Sequence, residues 1–388
     1  MVSEVLSQTL AHLPRSEQRR WGELYVRGLL SVDGRKTMRA LAGGAGSAAE
    51  KSLYQFITKS PWSNGAVRRE LARTLQDAMA PKAWVVRPLV VAKDGRHSVG
   101  VDRQWVPDAG RLVNCQQSTS VWLAGEDESC PVDWRLALPG SWADSPEQRR
   151  RAAIPEHVGG CPPERCALDS VHRMARDWGL WRRPVVMDLR AAGPAPLAEL
   201  MAARLPFVAR VDPADPRLLL EPGHRTADAW RGAADGLGEA IGRRRMPVEW
   251  PDPATGTLRA TVVGSVPVRL RGPRALPHAP HTGRQELVLL GAWAPGARRG
   301  PTEFWLSSLA GEHLGTVYRT AMLSRRVDHD LDRVSDGLGV RDFEGRTFRG
   351  WHHHMTMVSL AHALTVLAAA PAADRLRAAP RTLRASAA

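Results

Sequence analysis

The side chains able to do chemistry fall into a few clusters. Cys161-Pro162-Pro163-Glu164-Arg165-Cys166 brings two thiols close in sequence, and Cys115 and Cys130 complete the chain's 4 cysteines. Structural zinc is held by thiolates and imidazoles at paired short spacings, which Cys115 and Cys130 do not have. Reduced thiols are therefore one reading of the set, and a zinc arm at Cys161 and Cys166 the other. His352-His353-His354 could offer nitrogen to a transition metal, although consecutive helical residues point in different directions. In Asp328-His329-Asp330-Leu331-Asp332 only Asp328 and Asp332 share a helical face, and Asp330 and Asp332 read as a solvated surface. Trp is unusually common, 14 against 5 Phe and 3 Tyr. Trp62, Trp105, Trp122, Trp134 and Trp142 could stack on nucleic-acid bases or fill a core. No GxGxxG follows a strand and no GxxxxGK occurs, so dinucleotide and P-loop chemistry have no fingerprint here.

The charge balance narrows the partners. The 388 residues carry 54 Lys plus Arg against 40 Asp plus Glu, a formal net charge of +14. Such an excess is the electrostatic footprint expected of a polyanion binder, since phosphate contacts release counterions. Lys is confined to Lys36, Lys51, Lys59, Lys82 and Lys93, so the excess is carried mainly by Arg. With 43% apolar residues the chain can bury a core, which excludes wholesale disorder. No uninterrupted apolar run reaches about 18 residues and no leader pattern opens the chain. A cytoplasmic, nucleoid-associated protein with reduced cysteines is expected.

These side chains must be held by a mixed architecture. Residues 1–80 read as a helical, DNA-binding-like domain: Ser16 opens a run with Trp21, Leu24, Tyr25 and Leu29 at helical spacing, and 48–58 and the segment from Asn64 repeat it. On its polar faces Arg39, Lys51, Lys59, Arg68, Arg69 and Arg73 could grip phosphates. After Pro81 the period becomes that of strands: 84–91, 97–106 and 116–124 suggest an antiparallel meander. A helix over 166–178, a strand ending at Asp188, a helix over 197–205 and a strand over 207–211 follow, giving an α/β layered core over 81–211. Residues 212–305 form a β-rich insertion with strands at 258–263, 266–270 and 286–290. Residues 306–372 return to helices, and 373–388 make a basic, frayed tail.

Several segments form an ordered set: Tyr25-Val26-Arg27-Gly28-Leu29-Leu30, Arg35-Lys36 with Met38, Gln55-Phe56 with Ser60-Pro61-Trp62, and Ser98-Val99-Gly100-Val101 with Arg103-Gln104. Asn114-Cys115-Gln116, Leu138-Pro139 with Trp142, Arg149-Arg150-Arg151-Ala152, Trp351-His352 and Leu360-Ala361-His362-Ala363 continue it. Together, in this order, they resemble the bacterial DDE transposases of the insertion sequence 701 group. The resemblance implies a ribonuclease-H-like α/β core with a β-rich insertion, preceded by an all-helical N-terminal domain. It implies cutting and joining of double-stranded DNA ends by two Asp and one Glu that hold Mg²⁺ or Mn²⁺, in a homodimer.

By this resemblance the second Asp falls on Asp188, the Glu on Asp328, and the family's Lys or Arg on Ser335. The first Asp falls on Arg87, and a guanidinium repels a metal. An ion pair of Arg87 with Asp188, or an Asp188 turn cap, is expected in its place. Three functions follow: a degenerate or domesticated copy that retains DNA binding, an active metal-dependent recombinase whose missing acid is Asp94 or Asp102, or a protein reusing the old pocket at Arg87, Asp188 and His329 for a small molecule.

Overall fold

The structure, a computed structural model, describes residues 2–192, 195–215, 218–220, 241–242, 245–270, 286–297 and 300–369. The expected tail at 373–388 and part of the expected insertion lie outside the described residues. Helices are α1 (Val2–Leu10), α2 (Ser16–Ser31), α3 (Met38–Ala42), α4 (Gly46–Thr58) and α5 (Asn64–Met79). They continue with α6 (Gly140–Ala143), α7 (Pro146–Ala152), α8 (Pro163–Asp177), α9 (Ala195–Ala202), α10 (Leu314–Asp330) and α11 (Phe348–Ala369). Strands are β1 (Ala83–Ala92), β2 (Asp102–Val106), β3 (Arg111–Ala124), β4 (Ser129–Ala137), β5 (Val185–Asp188) and β6 (Phe207–Arg210). Then come β7 (Leu218–Leu220), β8 (Met246–Asp252), β9 (Thr257–Leu270), β10 (Leu287–Trp293) and β11 (Glu303–Ser307). This is a mixed α/β chain. None of the described helices is long and apolar enough to cross a membrane.

The chain divides into two compact units. The first takes the residues up to Pro81, Pro88–Trp181 and those from Val327 on; the second takes Lys82–Arg87 and Arg182–Arg326. The helical segment at the start is thus one part of a larger unit.

In the first unit three polar side chains cap helix starts. Gln18 accepts from the Arg15 N–H, Thr37 from Ala40, and Ser63 from Ala66, each satisfying an amide that helix geometry leaves open. Tyr25, Val26 and Leu29 of α2, Leu53, Phe56 and Ile57 of α4, and Val67, Leu71 and Leu75 of α5 are buried. Gly28 is required where α2 meets α3, because a Cβ there would stand 2.8 Å from the Leu41 carbonyl oxygen. The organising element is α11. It is buried on nearly all sides because α1, α2, α4 and α5 pack on it as well as β4.

The strands of this unit differ from the expected meander. β3 pairs antiparallel with both β2 and β4 and also neighbours β1, so β2 and β1 are not adjacent. The segment before β2 is a turn: the Val101 N–H reaches the Ser98 carbonyl, and Gly100 has φ +76°, which ends strand geometry there. β4 fell outside the sequence reading.

The second unit is built on a parallel triplet. The first half of β1 pairs with β5 (Trp84↔Val185, Val85↔Val186), and β5 with β6 (Val185↔Phe207, Asp188↔Arg210). An antiparallel series then runs β6, β11, β10, β9, with β7 and β8 both paired to β9. The two strands expected at 258–263 and 266–270 are one 14-residue strand, β9. Its Gly264 suggests a break in sequence but marks a close approach instead, since a Cβ there would lie 2.5 Å from the Ile241 carbonyl oxygen.

Candidate functional site

Asp188 ends β5, and its carboxylate faces outward. The next turn folds Arg190 back onto it. Oδ1 accepts from the Arg190 backbone N–H and Nε, both at 3.0 Å, and Oδ2 accepts from Nη2 at 2.6 Å. This fork-to-fork pair is half-exposed on both sides, 47% for Arg190 and 39% for Asp188. Extending the β1–β5 register by two residues sets Arg87 level with Asp188 on the neighbouring strand. On the other side the partner in register is Arg210, which reaches Glu303 at 3.1 Å and lies over Trp305. Of the two expected alternatives the turn cap is present, through the Arg190 N–H on Asp188, and the Arg87 ion pair is corrected: the guanidinium on Asp188 is that of Arg190, two residues on. As arranged, the Asp188 carboxylate is directed at the Arg190 guanidinium, and its partner in register on β6 is a further arginine. These residues do not fit a divalent cation.

Asp328 lies in the other unit, half-buried near the end of α10. Asp330, expected on a solvated face, is buried and accepts from the Ser129 N–H at 2.8 Å and its hydroxyl at 2.7 Å. Asp332 is exposed. Residues Leu331–Ser335 form one π-helical turn, a widening that turns Ser335 inward. There the Ser335 hydroxyl meets His362 Nδ1 at 2.8 Å, and His362 Nε2 meets the Ser129 carbonyl at 2.9 Å. The carbonyl can only accept, so Nε2 carries the proton and Ser335 donates to Nδ1. Burial draws the His362 pKa down to about 4, keeping the ring neutral. Asp330, Ser129, His362 and Ser335 thus form a continuous buried network. Sequence reasoning missed it, because its members come from three separate segments.

Among the basic residues expected at a phosphate surface, Arg68 is a correction. It is 1% exposed. Its guanidinium donates to Asp133 Oδ1 at 3.2 Å, to the Trp134 and His352 carbonyls at 2.7 and 2.8 Å, and to Thr356 at 2.7 Å. Burial lowers its pKa to about 10 against the pull of Asp133. Burial alone would raise the Asp133 pKa, but Arg173, Arg68 and Arg135 outweigh it and hold the carboxyl below its usual range. Arg39, Lys51, Lys59 and Arg73 are exposed and Arg69 half-buried. Arg39 lies 3.8 Å from Glu50, and Arg73 donates through Nε to the Trp178 carbonyl at 2.8 Å.

The three consecutive histidines are core groups with separate partners. The His352 carbonyl receives Arg68, His353 lies between the Ile57 and Trp62 carbonyls at 2.9 and 3.0 Å, and His354 bridges Tyr25 Oη and the Gly339 carbonyl at 2.9 Å. Burial lowers all three pKa values, to about 3 for His353 and about 4 for His354. Trp62, Trp122, Trp134 and Trp142 are buried, and Trp105 is exposed. Cys115, Cys130 and Cys166 are buried and Cys161 half-buried, all as free thiols. Among the described residues no three His, Cys, Asp or Glu side chains are grouped closely enough to hold a metal ion.

A mixed α/β chain whose parallel strands end in a cluster of charged side chains is the class the fold defines. Residues 8–271 match the family model of the DDE superfamily endonucleases, and the chain belongs to that family. Members of this family typically use divalent metals. No curated protein matches the chain. Among solved structures it is similar to a piggyBac transposase in a synaptic complex with hairpin DNA. The identity is 12% and the TM-score 0.36, over 99% of this chain and 80% of that one.

Proposed function

We propose that this protein is a transposase-family DNA-binding protein of the insertion sequence 701 type, with a ribonuclease-H-like core whose nuclease centre is degenerate. In this reading Arg87 stands at the first metal-ligand position, Asp188 at the second and Asp328 at the third. The observation that carries it is the Arg190 fork on Asp188, with Arg87 level on the adjacent strand of a chain in the DDE superfamily. Guanidinium groups in those places favour a phosphate over Mg²⁺ or Mn²⁺. Double-stranded DNA remains the partner, held by Arg39, Lys51, Lys59, Arg69 and Arg73; a homodimer and a nucleoid location belong to the same reading. The net charge of +14 supports it.

A gel-shift and nicking assay on duplex DNA with Mg²⁺ or Mn²⁺ tests this. Binding that weakens steeply with added salt, without nicking, is expected. Salt-independent binding would remove the DNA-binding reading. Nicking by the native protein that is lost in Asp188→Asn would establish the active recombinase instead. In that reading Asp94 or Asp102 supplies the missing acid.

A further inference from the structure

Cys161 and Cys166 bracket the first turn of α8. Pro163 opens that helix, and the Cys166 N–H closes onto the Pro162 carbonyl at 3.0 Å, which folds Cys166 back towards Cys161. The Cys166 thiol donates to the Cys161 carbonyl oxygen at 3.7 Å, and the Cys161 thiol to the Pro162 carbonyl at 3.5 Å. Their access differs. Cys166 is buried, whereas Cys161 is half-buried and lines a cleft of about 460 Å³ with Trp105, Gln117, Pro139 and Gly160.

The surroundings favour a thiolate on the outer sulfur. The neighbouring Cys166 thiol lowers the Cys161 pKa, more than burial raises it, and Arg135 and Arg165 act in the same direction while Asp169 opposes. The neighbouring Cys161 sulfur, with burial, raises the Cys166 pKa far above its ordinary value, keeping that sulfur a protonated thiol. Burial also raises the pKa values of Cys115 and Cys130, so neither competes as a nucleophile.

We propose that Cys161 and Cys166 are a peroxide-reactive dithiol in which Cys161 is the attacking sulfur and Cys166 the resolving one. The Cys161 thiolate attacks one oxygen of hydrogen peroxide and the O–O bond breaks. With one proton taken up, water leaves and Cys161 carries a sulfenic acid. The Cys166 thiol then attacks that sulfur, the S–O bond breaks, a second water leaves and the disulfide forms. The two sulfurs give up two electrons, which reduce the peroxide to water. This assignment is independent of DNA binding and of any nuclease activity.

Peptide mapping of the full-length protein tests it. Trypsin cuts after Arg151, Arg165 and Arg173, so 152–165 and 166–173 separate unless a disulfide joins them. After hydrogen peroxide, free thiols should fall from 4 to about two per chain, with those two peptides linked and Cys115 and Cys130 still free. Reductant should restore all four. In Cys166→Ser, a sulfenic acid trapped by dimedone should accumulate at Cys161. Oxidation at Cys115 or Cys130 first, a bond between two chains at Cys161, overoxidised Cys161 beside a free Cys166, or no reaction at all would each overturn the proposal.

Discussion

Two arginine–aspartate pairs in this molecule are built from the same groups and do different work. Arg68 and Asp133 are 1% and 0% exposed, and nearly every donor and acceptor around them is met by a carbonyl, a hydroxyl or Arg173. Arg190 and Asp188 are half-exposed at a strand end, and one turn of chain supplies both partners. Burial makes the first pair costly to disturb, because a lone charge left in the interior is unsolvated. Solvent makes the second pair weak in stability terms and open to exchange for another ligand. Arg–Asp proximity alone therefore does not mark a functional centre. Exposure decides which of the two pairs can meet a substrate.

The contrast breaks most visibly at Arg68. Arg68→Ala should destabilise the protein by about 3–5 kcal/mol in urea or thermal unfolding, since it strands buried Asp133 and the acceptors around it. Acid should act on the same interior. His354 and His362 have pKa values of about 4 when folded against 6.5 as the ordinary value. The unfolded chain binds those protons first, so stability is full above pH 6.5 and falls as pH drops towards 4. Each ring contributes on the order of 3 kcal/mol across that window, measurable as a falling urea midpoint. Ser335→Ala is a smaller cut. It leaves His362 Nδ1 unsatisfied in the interior, for about 1–3 kcal/mol, and Ser335→Thr should recover part of it.

How much of this was legible depended on how local each cause is. The helices over 16–31, 46–58 and 64–79 follow from apolar spacing, helped in the third by the Ser63 cap, both local, and they stand where the sequence places them. Asp188 at a strand end was legible for the same reason. β4 and β8 were not, because Pro131, Pro247 and Pro251 argue against a strand until an antiparallel partner is known. Arg68 reads as a surface cation beside Val67, and only Asp133, Trp134 and Thr356, distant in sequence, make it a core residue. Asp330 is the same case, decided by Ser129. The turn cap at Asp188 is local and was legible, since an Asp side chain readily bonds the backbone two residues on; the added guanidinium fork of Arg190 was not read.

That clamp offers the sharpest test of the comparison despite the smallest effect on stability. Arg190→Ala removes the fork from an exposed carboxylate, so unfolding should shift by less than about 1 kcal/mol. If the strand end is where a DNA phosphate docks, the same substitution should weaken duplex binding and reduce its salt dependence by roughly one counterion, read from the slope of affinity against salt. Arg87→Asp combined with Arg190→Ala goes further, because it sets two carboxylates side by side on adjacent strands with no guanidinium across Asp188. Mn²⁺ should then raise the melting temperature of the double variant and leave that of the native protein unchanged, since a cation bound only by the folded state stabilises it. A double variant indifferent to Mn²⁺ would mean that the strand ends were not shaped for a metal even without their arginines, and the family's catalytic geometry would have to be sought elsewhere in the chain.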